Sequence, residues 1–330
     1  MKDWTPEEMI RLSSSYWEVC ALHAAVEIDV FTPLRKGPLA VSELASRLGC
    51  PERGLAMLLT VLCVLHLLER ADDSFCLTPF AETYLCQDSD AYIGHIIRHH
   101  SQLMPGWARL AEAVRQNHPT RQRISFTEDS ERKNFLMGMY NMASVRAEAA
   151  VKAIDLRSSS TLLDLGGGPG AYAVRFCAAN PALSAVIFDL PTSRPFAESI
   201  IRQNGMEGRI RFTGGDFFTD PLPEGFDAVW LSHILHSMNN EEAERLLARA
   251  VQAAVPGGMV MVQDFILRDD QTGPLFPSLF ALNMLTGTKT GKAYTWQEIE
   301  RLLEKAGARR IRRVALPTED GSGIVIGEKA

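Results

Sequence analysis

Four polar residues in the second half of the chain fall where a ligand could use them. Asp164 stands just before a run of glycines, in Asp164-Leu165-Gly166-Gly167-Gly168-Pro169-Gly170. Asp189 closes Phe188-Asp189, Asp216 follows Gly214-Gly215, and His236 lies in Leu235-His236-Ser237. Glycines at 166, 168 and 170 let a ligand lie against the backbone, where side chains would block it. A carboxylate at 189 can accept both hydroxyls of a ribose. One at 216 can accept an amino hydrogen of adenine while Phe217 covers the ring. An imidazole is a base at neutral pH, so His236 can take a proton from a weakly acidic acceptor. The bland reading of His236 is a residue capping the helix at 240, and His233 reads as packing.

Two ligands compete for the glycine turn. Gly166-x-Gly168-x-x-Ala171 would pass as a dinucleotide fingerprint. A nicotinamide cofactor needs its pyrophosphate at the helix N-terminus. Gly170 adds a third glycine at spacing two, and Asp164 stands two residues before the first. That flank suits the zwitterionic end of S-adenosylmethionine, which has no phosphate, with Asp164 near its ammonium.

These residues need elements to position them. Apolar segments at 161–165, 184–189, 209–213, 226–232 and 257–266 read as strands. Helices begin near 170, 193, 240 and 295. Buried strands alternating with helices give a parallel sheet covered on both faces. Ligands then sit beyond the carboxyl ends of the strands, where all four polar signals fall. The segments 309–315 and 324–326 read as an antiparallel edge.

The first half reads differently. Residues 11–31 carry apolar positions at helical spacing. Val41–Gly49 reads as a short helix capped by Ser42 and stopped by Gly49. Pro51 opens an apolar helix running to about Leu68, and Phe75–Thr78 pairs back as a wing. That is a winged-helix order, but a recognition helix needs exposed basic or amide side chains. Arg53 is the one Arg or Lys between Glu52 and Leu68, so a second copy of the chain fits better than DNA. Residues 81–157 read as mostly helical. His95 and His99 share a helix face without an evident third metal ligand, which favours a pocket-wall or capping role. Trp107 reads as core, and the methionines near Phe135 and Met139 suit an aromatic pocket or plain core equally. The expected domains are 1–100, 101–157 and, after a serine linker, 158–330.

Composition bounds the partners. The chain has 330 residues, 46% of them hydrophobic, and a net charge of −6. That balance argues against nucleic acid or an anionic membrane as the main partner. Met1–Pro6 has no signal-like apolar region, and Leu55–Leu68 falls short of the roughly 20 residues of a membrane span. Six cysteines without metal or disulfide spacing read as buried cytosolic thiols.

The motifs together resemble the class I S-adenosylmethionine-dependent O-methyltransferases of the plant caffeic-acid and animal acetylserotonin type, with their bacterial small-molecule relatives. The resemblance spans about residues 12–328. Leu163–Gly170, Phe188–Pro191 and Gly214–Phe218 match the cofactor motifs. It implies a seven-stranded Rossmann-like sheet, an N-terminal winged-helix dimerisation domain and a homodimer. It places the donor on Asp164, Gly166, Gly168, Asp189, Leu190, Asp216, Phe217 and Ser232. It makes His236 the base, Asp264 its carboxylate, and Phe135 and Met139 acceptor-lining residues, with no metal. The family's Asp and Trp after the base are Ser237 and Met238 here, and its second Glu is Ala293. His99 or His100 is a candidate for the missing polar group. The activity implied is methyl transfer to a hydroxyl of a small aromatic or polyketide-like acceptor. The departures leave two alternatives: methylation of carbon or another heteroatom, and non-methylating cofactor-assisted chemistry.

Overall fold

The structure is a computed structural model, and residues 3–122 and 129–330 are described. Residues 1 and 2 of the leading segment and 123–128 of the expected 101–157 region lie outside them. The chain divides into two compact units, Met1–Met104 with Lys133–Asn141, and Pro105–Arg132 with Met142–Ala330. No helix among the described residues is long and apolar enough to cross a membrane.

The chain begins with α1 (Pro6–Ser14) and α2 (Tyr16–Glu27). Thr5 starts α1 with a reciprocal bond to Glu8, which satisfies two backbone donors at the helix start. Next come β1 (Leu39–Ala40), α3 (Val41–Leu48), α4 (Glu52–Val64), β2 (Leu68–Ala71) and β3 (Ser74–Leu77). The three strands pair antiparallel in the order β1-β3-β2. Gly49 does end α3, in the left-handed conformation with φ 64. Ser42 does not cap it: α3 follows β1 directly, so the cap position is Ala40, with no side-chain bond.

The apolar helix α4 stops at Val64 rather than Leu68. His66 turns at φ 55, and Leu68 already pairs with Leu77. Nor is α4 buried all round in the single chain. Leu55, Leu59 and Leu62 face the core, while Met57 and Val64 are 56% and 72% exposed. Then follow α5 (Pro79–Tyr84), α6 (Gly94–Ala108), α7 (Leu110–Gln116) and α8 (Asp129–Ala153). In the first unit His99 is buried, with its ring 5.4 Å from that of Phe135. His95 Nδ1 lies 3.2 Å from Asn134 Oδ1, and His100 is exposed.

The second unit is built on a sheet. Its elements are β4 (Thr161–Leu165), α9 (Ala171–Ala179), β5 (Ser184–Asp189), α10 (Arg194–Gln203), β6 (Ile210–Gly214), β7 (Phe226–Ser232), α11 (Asn240–Ala253) and β8 (Ala254–Leu267). They continue with α12 (Leu275–Gly287), β9 (Tyr294–Thr295), α13 (Trp296–Lys305), β10 (Ala308–Ala315) and β11 (Ser322–Lys329). The strand order is β10-β11-β8-β7-β4-β5-β6, and the two-residue β9 adds to β8. The five strands from β8 to β6 are parallel. β11 and β10 run antiparallel along one side, with β10 outermost. β4 and β5 are buried over most of their length, as strands covered on both faces must be. The order reverses between β4 and β7, which opens a crevice beyond their carboxyl ends.

Candidate active site

On the β4 side of the crevice the chain turns through three glycines. Gly166, Gly168 and Gly170 have φ of 73, 52 and 83, a region L side chains rarely enter. A Cβ at Gly168 would meet nothing within 4 Å, so this part of the loop presents bare backbone to open space. A Cβ at Gly167 would lie 2.5 Å from the Asp164 carboxyl carbon. Asp164 therefore lies beneath the loop, 1% exposed. Its Oδ2 accepts the Ala173 N–H of α9 at 3.2 Å. Burial pushes its carboxyl up to about 7, with Asp189 adding to the rise and the Ala173 bond opposing it.

Asp189 ends β5 and holds the loop from the other side. Its Oδ2 accepts the Gly168 N–H at 2.8 Å. Its Oδ1 accepts the Leu190 N–H at 2.7 Å and the Ser193 hydroxyl at 2.8 Å. Burial raises this carboxyl, and the three donors pull it back. Leu190, beside it, is 39% exposed. Asp216 follows β6, and its Oδ1 accepts the Phe218 N–H at 2.8 Å. Phe217 approaches the glycine turn, 3.6 Å from where a Gly166 Cβ would stand. Arg249 of α11 holds the Phe217 carbonyl at 2.7 Å. Nothing local in the sequence marks Arg249, because it arrives from a helix beyond β7.

On the β7 side, Ser232 ends the strand and donates to Gln263 Oε1 at 3.2 Å. Leu235–Ser237 forms a single 3-10 turn that carries His236. His236 Nδ1 lies 2.8 Å from Asp264 Oδ1, and its own N–H donates to Oδ2 at 3.1 Å. The Phe265 N–H also donates to Oδ1, at 2.9 Å. Asp264 is 1% exposed. Burial alone would raise its carboxyl, but the charge and hydrogen bond of His236, with His233 close by, hold it well below the ordinary range. An ionised Asp264 can only accept, so Nδ1 carries the ring proton and Nε2 is left as the basic nitrogen. Among the described residues nothing is bonded to Nε2.

The walls around this pair come from distant segments. Phe280 of α12 stands edge-on to the His236 ring at 4.7 Å. The Lys292 N–H donates to the His236 carbonyl at 2.9 Å, and a Cβ at Gly291 would lie 2.6 Å from that oxygen. Ala293, where the resemblance leads one to expect a second Glu, is 5% exposed. His233 packs its ring 4.3 Å from Phe265, and its Nδ1 is 3.6 Å from Asp264, beyond hydrogen-bond reach. Burial lowers its affinity for a proton. His233, His236 and Asp264 present ligand atoms within 4.8 Å of one another. With Nδ1 already bonded to Asp264, the arrangement suits proton transfer.

The structure thus gathers Asp164, Gly166, Gly168, Asp189, Leu190, Asp216, Phe217, Ser232, His236 and Asp264 in the second unit. His99, His100, Phe135 and Met139 belong to the first. A glycine turn at the switch point of a parallel sheet, flanked by carboxylates and facing a carboxylate-held imidazole, defines the class of α/β methyltransferases.

Comparison with known proteins narrows the class. A family model described as an O-methyltransferase domain matches residues 107–309, and one described as an O-methyltransferase dimerisation domain matches residues 10–87. The chain is 34% identical to 3-hydroxy-5-methyl-1-naphthoate 3-O-methyltransferase of Streptomyces sahachiroi, covering 98% of this chain and 96% of that one. It is 35% identical to the tetracenomycin polyketide synthesis 8-O-methyl transferase TcmO of Streptomyces glaucescens, over 98% and 97% of the two chains. Human N-acetylserotonin methyltransferase, solved in complex with S-adenosylmethionine, superposes with a TM-score of 0.88 at 27% identity, over 100% of this chain and 99% of that one. The chain belongs to the O-methyltransferase family and is an S-adenosylmethionine-dependent enzyme with an N-terminal dimerisation domain. The dinucleotide oxidoreductase and DNA-regulator readings fall away.

Proposed function

We propose that the enzyme methylates a hydroxyl of a small aromatic or polyketide-like acceptor, with His236 as general base and Asp264 as the carboxylate that orients it. The 2.8 Å bond between His236 Nδ1 and Asp264 carries this reading. Bare backbone at Gly168 and the carboxylates of Asp189 and Asp216 at the strand ends fit the donor. When bound, S-adenosylmethionine supplies a methyl on a sulfonium, a neutral and good leaving group. The chain's own work is then alignment and proton removal. Asp164 supports the loop, Asp189 and Leu190 flank the ribose and adenine side, Asp216 and Phe217 take the base, and Ser232 lines the donor end. His236 Nε2 takes the hydroxyl proton. Asp264 stabilises the imidazolium that results, since it already accepts at Nδ1.

Phe135 and Met139, with His99 and His100, line the acceptor side in this reading. The functional partition is 1–100 for self-association, 101–157 for acceptor-facing helices and 158–330 for chemistry. The α3-turn-α4 pair and β2-β3 hairpin act as a winged-helix unit that forms a homodimer. Exposed Ile10, Trp17 and Val64, at 70%, 66% and 72%, support that use. Sedimentation of Val64→Asp should then show a monomer. The six free thiols fit a reducing cytoplasm.

The base role is tested with His236→Ala, labelled donor and a panel of phenols and hydroxynaphthalenes. The expected result is a loss of roughly 10²–10⁴ in kcat with donor binding retained. Unchanged transfer sinks the base role.

A further inference from the structure

One half-buried cation in the second unit, Arg121, has no anion among the described residues. Arg121 follows α7, and its backbone is strapped to α12: the Thr120 and Arg121 N–H groups both donate to the Thr286 carbonyl, at 3.0 and 3.1 Å. Two glycines make room for its side chain. A Cβ at Gly106 would lie 2.9 Å from Arg121 Cδ, and one at Gly287 would strike the guanidinium. Within this seat the guanidinium makes one long contact, 3.5 Å to Asn283 Oδ1. That oxygen is already engaged by the Trp107 indole N–H at 3.2 Å. Arg121 Nε is buried with no partner, and no carboxylate among the described residues pairs with it. Burial lowers its proton affinity and no neighbouring charge offsets that. A guanidinium stays protonated in proteins, and taking part of it out of water without a partner is unfavourable. A chain that seats one between two glycines is set up to receive the missing charge from outside.

The seat also has a direction. Asn283, which meets the guanidinium, lies three residues beyond Phe280 on α12, so the two share a helix face. Phe280 is the residue whose ring touches His236. Three residues of helix advance about 4.5 Å. The base and the guanidinium therefore meet the same face of α12, at Phe280 and at Asn283.

The geometry points to Arg121 as an anion-binding residue of the acceptor site, which takes the carboxylate of a hydroxylated aromatic acid while His236 faces its hydroxyl. A planar guanidinium with several free N–H groups matches a carboxylate in bidentate fashion, which a lysine does not. This rests on the acceptor reading above and narrows its substrate class.

The test uses the whole enzyme and matched probes, 3-hydroxy-1-naphthoate and 2-naphthol. Wild type should show a KM for the acid at least ten-fold below that for the naphthol. Arg121→Gln should raise the KM for the acid roughly ten- to a hundred-fold, leave the naphthol within two-fold, and leave kcat for both nearly unchanged. Arg121→Lys should recover only part of the loss. Equal effects on both probes, or none on either, overturn the proposal. Should Arg121→Gln fail to fold, wild type alone decides. Calorimetry without donor should show 1-naphthoate binding and 1-naphthamide not binding, and equal binding of the two overturns it. That measurement involves no methyl transfer, so it survives a failure of the His236 reading and is separable from it.

Discussion

Two aspartates lie in neighbouring parts of one sheet, both 1% exposed, and they carry opposite tendencies. Asp164 at the end of β4 accepts a single backbone N–H, from Ala173, and its Oδ1 has no partner. It is pushed up to about 7 by burial. Asp264 in β8 accepts the His236 ring and two backbone N–H groups, and it is held low. Burial is the same in both places, so burial does not decide the charge. The charge of the neighbouring group, His236 beside Asp264 and Asp189 beside Asp164, and the donors aimed at each carboxylate do. Asp264 must stay an anion to hold a proton on His236 Nδ1. Asp164, beneath the glycine turn, is pushed up to about 7 and so sits near its midpoint at neutral pH.

The largest effect should come from removing the charge that matters. Asp264→Asn keeps the shape but no longer forces the proton onto His236 Nδ1. It should lower kcat by roughly 10²–10⁴ with little change in donor affinity; steady-state kinetics alongside donor titration checks both. A loss under ten-fold would erase the contrast between the two aspartates.

Next is the pH dependence of stability without donor. The folded-state value of Asp164, about 7, exceeds its ordinary value. The folded protein therefore holds a proton that the unfolded chain has released. That contribution is complete below about pH 4 and is lost as pH rises to about 7, at no more than about 1.4 kcal/mol per pH unit. Asp164→Asn should remove this slope, so the mutant gains on wild type as pH rises. Denaturant unfolding of both from pH 5 to 8 measures it, and parallel curves would mean Asp164 is ionised throughout.

Smaller effects separate floor from surface in the glycine loop. Gly167→Ala drives a methyl against the Asp164 carboxyl and should destabilise by about 1–3 kcal/mol. Gly168→Ala meets no atom but keeps a positive φ, and should lose about 1 kcal/mol while weakening donor binding more than stability. Thermal unfolding and calorimetry on the pair would show whether the two neighbours do differ. The smallest signal is proton release on donor binding. A cation placed over Asp164 should expel up to one proton near pH 6.5, visible as a buffer-dependent binding enthalpy that Asp164→Asn abolishes.

The glycine turn and the strand-end aspartates were legible because their signals are local. Gly166, Gly168 and Gly170 are required by backbone conformation, and Asp189 and Asp216 close strands whose apolar runs are short and bounded. His236 was legible from its residue type after a strand, and Asp264 only through the family resemblance. Phe280, Arg249 and the Arg121 seat carry no local signal, since Arg121 meets Asn283 across 162 residues. The misread edges of α3 and α4 share a cause. β1 ends where α3 begins, β2 begins where the apolar run of α4 would continue, and cross-strand pairing to β3 decides both boundaries.

By itself, then, the sequence determined the alternation of strands and helices in the second half and the glycine turn, because periodicity and backbone constraint act within a few residues. Only the tertiary structure decided which buried carboxylate is an anion, which nitrogen of His236 is free and which cation lacks a partner. Those depend on donors and charges that the fold brings together from distant strands and helices, and at a few ångströms in a dry interior such neighbours outweigh anything local.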